Sequence, residues 1–185
     1  SVALELWPTS SCGNSCSATG VNQCAAPLIP LGKLTTASAP TDIQEQKLVN
    51  AFNTYNPGGG TPGLVALKGA SKWAIDYTKT HPNEQQVVLF VTDGYPNTCG
   101  SSHGPFATAA ADAYKAGALV YAMNIVGGSA TLGNKIAAAG GTGQGMTIDS
   151  NSQIEQKIIA AMNKIKGDNV KCDFKLPTSS TPYDA

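Results

Sequence analysis

The sequence predicts an α/β fold, a three-layer, doubly wound, mostly parallel sheet with helices on both faces. Three observations carry that prediction. Val87-Val88-Leu89-Phe90-Val91 is a continuous β-branched and aromatic run, as strands buried on both faces of a parallel sheet show. Segments on either side of it repeat apolar residues at three and four, the spacing of one helical face. Strand and helix patterns then alternate along the chain, which implies crossover connections and a parallel sheet.

Each element has its own signal. Ser1 to Trp7 sets Val2, Leu4 and Leu6 against Ala3, Glu5 and Trp7, a period of two that reads as a strand ended by Pro8. Residues 9–24 read as a cysteine-bearing loop. Ala25 to Leu31 is apolar but broken by Pro27 and Pro30, which confines it to a sheet edge or an extended connection. Thr41-Asp42-Ile43-Gln44 has the form of a capping box with Thr41 as the cap. Ile43, Leu48, Phe52 and Tyr55 then form a helical stripe that Pro57 stops. Past Gly58-Gly59-Gly60-Thr61-Pro62, a second helix carries Leu64, Leu67, Ala70, Ala74 and Tyr77 and closes at Pro82.

The central strand follows over 85–92. Pro105 to Ala116 is alanine-rich and helical, Ala118 to Val126 is a buried strand, and Leu132 to Ala139 is a short helix. Met146 to Asp149 gives a short strand, and Ile154, Ile158, Ile159, Met162 and Ile165 give an amphipathic helix. Residues 1–168 are thus expected as one domain with a disulfide loop over 9–24. Residues 169–185 are expected as a strand, with Val170, Cys172, Phe174 and Leu176 alternating, before a Pro/Ser/Thr-rich tail.

Composition narrows the function. A chain of 185 residues with 42% hydrophobic content can bury a single core. Twelve Lys and Arg balance twelve Asp and Glu, so no excess positive charge is present for nucleic acid or an anionic membrane. No apolar run approaches the roughly 18 residues of a membrane span, and no signal-like segment opens the chain. A soluble protein is expected.

Five cysteines point to an oxidising compartment, because Cys12, Cys16 and Cys24 crowd one Ser/Gly/Asn-rich segment. The protein is therefore expected to be secreted or at a cell surface. A zinc site lacks a second paired half and a neighbouring histidine there, so a disulfide-pinned loop is the better reading. An odd count leaves one cysteine over. Cys99 and Cys172 read as one long-range pair or as partners for something outside this segment.

Two groups carry the candidate chemistry. Asp93 follows five apolar residues at the carboxyl end of the central strand, where open α/β sheets gather their ligands. A carboxylate there is compensated by a cation, a helix terminus or backbone donors, or else it merely caps the turn with Gly94. Thr61 precedes a helix and has an equally ordinary role as its N-cap.

Enzyme motifs fit less well. Gly100-Ser101-Ser102-His103-Gly104 matches Gly-x-Ser-x-Gly, but a nucleophile elbow needs Ser102 at a strand tip and a later histidine. His103 reads as an exposed loop residue and His81 as a helix-end residue. Gly128 to Lys135 approaches a phosphate loop but inserts Asn134 before the lysine. Gly141-Thr142-Gly143-Gln144-Gly145 joins a helix to a strand, the reverse of the dinucleotide order, so turn glycines explain it. No catalytic residues are assigned.

In order, Gly59-Gly60-Thr61-Pro62 before a helix and Val88-Leu89-Phe90-Val91-Thr92-Asp93-Gly94-Tyr95-Pro96-Asn97 resemble the von Willebrand factor A domain. The resemblance spans most of the chain. It extends to Ala138-Ala139-Gly140-Gly141-Thr142-Gly143-Gln144 and to a cysteine-bearing segment ending in Leu176-Pro177, which is similar to secreted bacterial members. It implies adhesion through a metal-ion-dependent site binding Mg²⁺, or Mn²⁺ or Ca²⁺, through oxygen ligands, with one position open for a protein partner's carboxylate. By that resemblance Thr61 supplies a hydroxyl and Asp93 a carboxylate, often through water. Hard cations favour such oxygen-only, partly hydrated sites.

One departure matters. The family's first, central strand ends in Asp-x-Ser-x-Ser, which is missing here, and Ser1 to Trp7 matches the family's second strand instead. Asp149-Ser150-Asn151-Ser152 has the wrong spacing and the wrong place in the fold. Half of the implied ligands are therefore missing, and a sheet without that strand leaves unpaired backbone groups, each costing about 1–3 kcal/mol if buried. The strand is expected from an upstream part of the natural chain or from another subunit by strand addition. The alternative expectation is a structural subunit of a fibre or surface layer with a vestigial metal site.

Overall fold

A computed structural model describes residues 1–56, 58–125, 127–148 and 154–169. Its central feature is a parallel sheet of three strands in the order β3-β4-β5, formed by Gln86–Thr92, Ala118–Ile125 and Met146–Ile148. All seven residues of β3 pair in register with β4, from Gln86 opposite Ala118 to Thr92 opposite Asn124. The buried-strand reading holds for β4, whereas β3 is buried on one face only, with Val87 and Leu89 half-buried on the other.

Helices cover both faces, as the patterning predicts. On one face lie α3 (Gly63–Thr80), α4 (His103–Lys115) and α5 (Ala130–Ala139). They bury Leu64, Leu67, Phe106, Ala110, Leu132 and Ile136 against Val88 and Phe90 of β3 and Val120 of β4. Alanines dominate where α4 meets β4, with Ala109, Ala110 and Ala113 near Ala118 and Ala122, so helix and sheet approach closely. On the other face, α6 (Ile154–Asn169) packs Ile154, Ile158 and Ala161 against Leu89, Met123, Met146 and Ile148. Val91 on that face remains 37% exposed.

The first part of the chain forms a separate antiparallel pair. β1 (Val2–Leu4) and β2 (Ile29–Gly32) pair with Val2 opposite Gly32 and Leu4 opposite Ile29. Both strands are shorter than the sequence suggests. β3 is hydrogen-bonded only to β4 among the described residues, so the sheet is split between β1 and β3. Side chains nonetheless cross the split. Trp7 stacks on Phe90 with ring centroids 5.4 Å apart and planes 9° apart.

Two local expectations are corrected. Residues 9–24 are not all loop, because Ala18–Cys24 forms a seven-residue helix, α1, capped by the Ser17 hydroxyl. Thr41 is not the cap of α2 (Ile43–Thr54). Asp42 is, accepting from the Glu45 amide at 2.9 Å, while Glu45 reaches back to the Ala39 amide at 3.0 Å. The cap is thus shifted by one residue, and it is not a reciprocal capping box, since the Asp42 amide donates to the Ser38 carbonyl instead of to Glu45. The Glu45 amide, then the Thr35 amide, hold the Asp42 carboxyl below its ordinary value.

The shift frees Gln44 to bridge β1 and β2 by donating to the carbonyls of Val2 and Pro30 at 2.8 and 3.0 Å. The expected α2 stripe does not all face inward. Gln44 and Ala51 are buried, whereas Ile43 and Phe52 are 71% and 59% exposed. Of the four apolar residues expected to face the core, Ile43 and Phe52 are thus exposed, while Leu48 and Tyr55 are half-buried.

Two disulfides are present, Cys12–Cys24 and Cys16–Cys99. The second corrects the expected pairing of Cys99 with Cys172. Cys172 and Asp149-Ser150-Asn151-Ser152 lie outside the described residues, as does the expected strand beyond the end of α6 at Asn169. No described helix is long and apolar enough to cross a membrane.

Two measurements test this packing. A Cβ on Gly69 would stand 2.5 Å from the Cys24 carbonyl carbon, because α1 lies directly on α3 at that glycine. Gly69→Ala is therefore expected to cost about 1–3 kcal/mol in urea unfolding; a neutral change would mean that α1 does not hold this position.

The second concerns Glu5, half-buried on the chain just past β1. Its Oε2 accepts from the Leu28 amide at 2.6 Å, while its Oε1 is buried without a hydrogen-bond partner among the described residues. Burial pushes the carboxyl up to about 7, against the lowering effect of that amide. A folded pKa above the unfolded one makes this contribution to stability complete at low pH, and it is lost as pH rises through about 7. Unfolding midpoints should fall between about pH 5 and pH 8 in the wild type and fall less in Glu5→Gln. Equal slopes for the two proteins would remove Glu5 as the cause.

Candidate functional site

The carboxyl ends of β3 and β4 and the loop before α3 come together at one end of the sheet. Thr92 closes the β3 turn, since its hydroxyl accepts from the Gly94 amide at 3.3 Å and lies 3.2 Å from the Gly94 carbonyl as donor. Asp93 therefore does not hold this turn. Its carboxylate is exposed and makes no hydrogen bond to another described residue. Behind it, Gly127 has φ 101°, and a Cβ there would stand 2.7 Å from the Asp93 carbonyl oxygen. The β4–α5 connection can pass so close only as glycine.

Thr61 stands beside this turn, its hydroxyl 3.7 Å from the position of a Cβ on Gly94. Its ordinary role does not apply either. The N-cap residue of α3 is Pro62, with no side-chain cap, and the Thr61 hydroxyl has no hydrogen-bond partner among the described residues. What fixes Thr61 is its backbone. The Asn97 side chain accepts from the Thr61 amide at 2.6 Å, and the amides of Asn97 and Thr98 both donate to the Thr61 carbonyl, at 3.3 and 3.4 Å. A Cβ on Gly60 would overlap the Thr98 hydroxyl, so the two loops are in contact.

Further groups border the pair. The Tyr55 hydroxyl donates to the Pro8 carbonyl at 3.3 Å, and its ionisation is pushed up by burial and then by the negative charge of Asp93. A Cβ on Gly59, at φ 97°, would stand 3.7 Å from the Asn14 side-chain nitrogen and 3.8 Å from the Pro8 ring. The Cys16–Cys99 bond ties the residue after Thr98 to the same segment as Asn14. Cys99 itself has φ 64°, a left-handed conformation that costs a non-glycine residue about 1–2 kcal/mol.

The sequence assigns no site role to Asn97, Tyr55 or the Cys16–Cys99 pairing. Pro96-Asn97 signals a turn, but its contact with Thr61 crosses 36 positions that no local pattern spans. Chemically, the site offers one hydroxyl and one carboxylate on an open surface. Among the described residues no three His, Cys, Asp or Glu side chains cluster as a metal-holding group. Thr61 and Asp93 are two oxygen donors, fewer than the about six that a hard cation takes.

The other motifs resolve as ordinary structure. Ser102 and His103 stand at the start of α4, well past the end of β3, so no strand-tip elbow is formed and His103 is helical rather than a loop residue. Ser129 caps α5 by accepting from the Leu132 amide, with Lys135 exposed within the helix. Gly141 and Gly143 have φ 78° and 84°, which turns require. His81 ends α3 and stacks on Tyr77 at 3.9 Å. No family model matches the chain, and no curated protein matches it.

Proposed function

We propose that this chain is an extracellular or cell-surface binding module, rather than an enzyme, that holds a protein ligand through a divalent cation at Thr61 and Asp93. One observation carries the reading. The Thr61 hydroxyl lies near Gly94, the residue after Asp93, and neither it nor the Asp93 carboxylate hydrogen-bonds within its own loop. Thr92 and Asn97 do that structural work instead.

Two unused oxygen groups in neighbouring loops suit a hard cation such as Mg²⁺, Mn²⁺ or Ca²⁺, which keeps several waters when few side chains bind it. Mg²⁺ takes about six oxygens. The two protein oxygens therefore leave positions for water and for a partner's carboxylate, as the von Willebrand factor A resemblance implies. Two disulfides support an oxidising compartment.

A second reading is a structural subunit that assembles by strand exchange, with the cation site vestigial. The split sheet favours it. β3 presents an unpaired edge among the described residues, and its sequence, Gln86 to Thr92, has no lysine, proline or glycine to blunt pairing. A strand entering between β1 and β3 is also where a further ligand-bearing loop belongs.

Mn²⁺ binding by calorimetry separates the readings without a known partner. The wild type is expected to bind Mn²⁺, Asp93→Ala to lose binding, and Thr61→Ala to weaken it by at least about tenfold. Equal binding by Asp93→Ala would overturn the cation reading. The assembly reading expects concentration-dependent oligomers in size-exclusion chromatography, and a stable monomer at every concentration counts against it.

A further inference from the structure

Three consecutive residues join the candidate site to a disulfide. Asn97 and Thr98 grip the Thr61 backbone with three hydrogen bonds, and the next residue, Cys99, is bonded to Cys16. Cys99 and Gly100 both have positive φ, 64° and 103°, so this turn depends on its surroundings to hold a conformation unfavourable for cysteine. The bond to Cys16 is the covalent part of those surroundings.

The two disulfides differ in access. Cys12 and Cys24 are 0% and 2% exposed, packed with Val65 and Ala66 of α3. Cys16 is exposed, just before α1, and Cys99 is half-buried. A thiolate in solution reaches Cys16 and not the inner pair, and exposed disulfides are the labile ones in exchange.

We propose that Cys16–Cys99 is a redox latch on the Thr61 loop, opened by an external dithiol while Cys12–Cys24 stays closed. One thiolate of the dithiol attacks Cys16 Sγ, the sulfur–sulfur bond breaks, and Cys99 leaves as a thiolate that takes a proton from water. The second thiol of the reductant then attacks the mixed disulfide and releases Cys16. Two electrons pass to the protein, and the dithiol ends as its own disulfide. Cys99 is then free to leave its left-handed conformation, Asn97 and Thr98 move with it, and the grip on Thr61 loosens. Only the loss of cation binding that follows rests on the proposed function; the latch itself does not.

The test uses the full chain under native conditions. Free thiols are first blocked by alkylation, dithiothreitol is titrated, and new thiols are alkylated and mapped by peptide mass. Cys16 and Cys99 should be labelled together at about tenfold less reductant than Cys12 and Cys24. At that point, hydrogen exchange should quicken in the 58–62 and 94–102 segments and stay unchanged in β3 and β4. A Cys16→Ser/Cys99→Ser double variant should show the same exchange pattern without reductant and no further response to it.

Opening of Cys12–Cys24 first or together with the outer bond overturns the proposal. So does unchanged exchange in 58–62 after selective opening, in either the reduced wild type or the double variant. Mn²⁺ affinity measured alongside keeps the two ideas apart. If the oxidised chain binds no Mn²⁺ but the exchange pattern responds as described, the cation reading falls and the latch stands.

Discussion

Seven residues of β3 lie in register beside seven of β4, and the apolar burial of that ladder decides where every other group stands. Val88 and Phe90 point to the three-helix face and Leu89 to the α6 face, so β3 cannot slip by one residue without exchanging its buried sets. Register in turn fixes the end of the strand. Thr92 is the last paired residue, which puts Asp93 at the first position where a carboxylate meets water. The candidate site thus depends on hydrophobic packing remote from it.

The opposite edge of β3 shows what the same packing leaves unfinished. Trp7, Phe90 and Phe106 all approach Gly63, so β1 and β3 share a hydrophobic neighbour although their backbones do not pair. Side-chain contact across a gap in backbone pairing is an arrangement in which apolar attraction has been satisfied and hydrogen bonding has not. Water can serve an open edge, which makes the split tolerable, but Val91 remains partly exposed on the α6 face. Ile43 and Phe52 on α2 are a further exposed apolar surface.

How much could be read beforehand follows from the range of the forces involved. α3, β3, β4 and α5 were legible because burial imprints a period on consecutive residues, and their predicted spans agree with the observed ones to within a few positions. α1 was not, since a seven-residue helix in Ser/Gly/Asn-rich sequence carries no apolar period and is held by a disulfide and by contact with Gly69. The cap of α2 was misplaced because Thr41 and Asp42 are adjacent and chemically equivalent as caps. The choice was made by Thr35, which donates twice to Asp42 from outside the helix. Cysteine pairing was illegible for the same reason, since the 83 positions between Cys16 and Cys99 are closed by the tertiary fold alone.

At the site, a turn cap for Asp93 competed evenly with a ligand role, and the N-cap role was the better reading of Thr61 taken alone. If Asp93 were a turn cap and Thr61 a helix cap, their oxygens would be occupied by nearby amides. Those amides are instead served by Thr92 in one loop, while α3 begins without a side-chain cap in the other. Asn97 then spends its side chain fixing the Thr61 backbone, which orders the hydroxyl without consuming it. A loop held from behind by Asn97, Thr98 and a disulfide keeps Thr61 in a fixed place beside the Gly94 turn, and such preorganisation lowers the cost of binding wherever a ligand is taken. The same connectivity makes Thr61 sensitive to whatever happens at Cys99, so the support of the site and its control lie on one short stretch of chain.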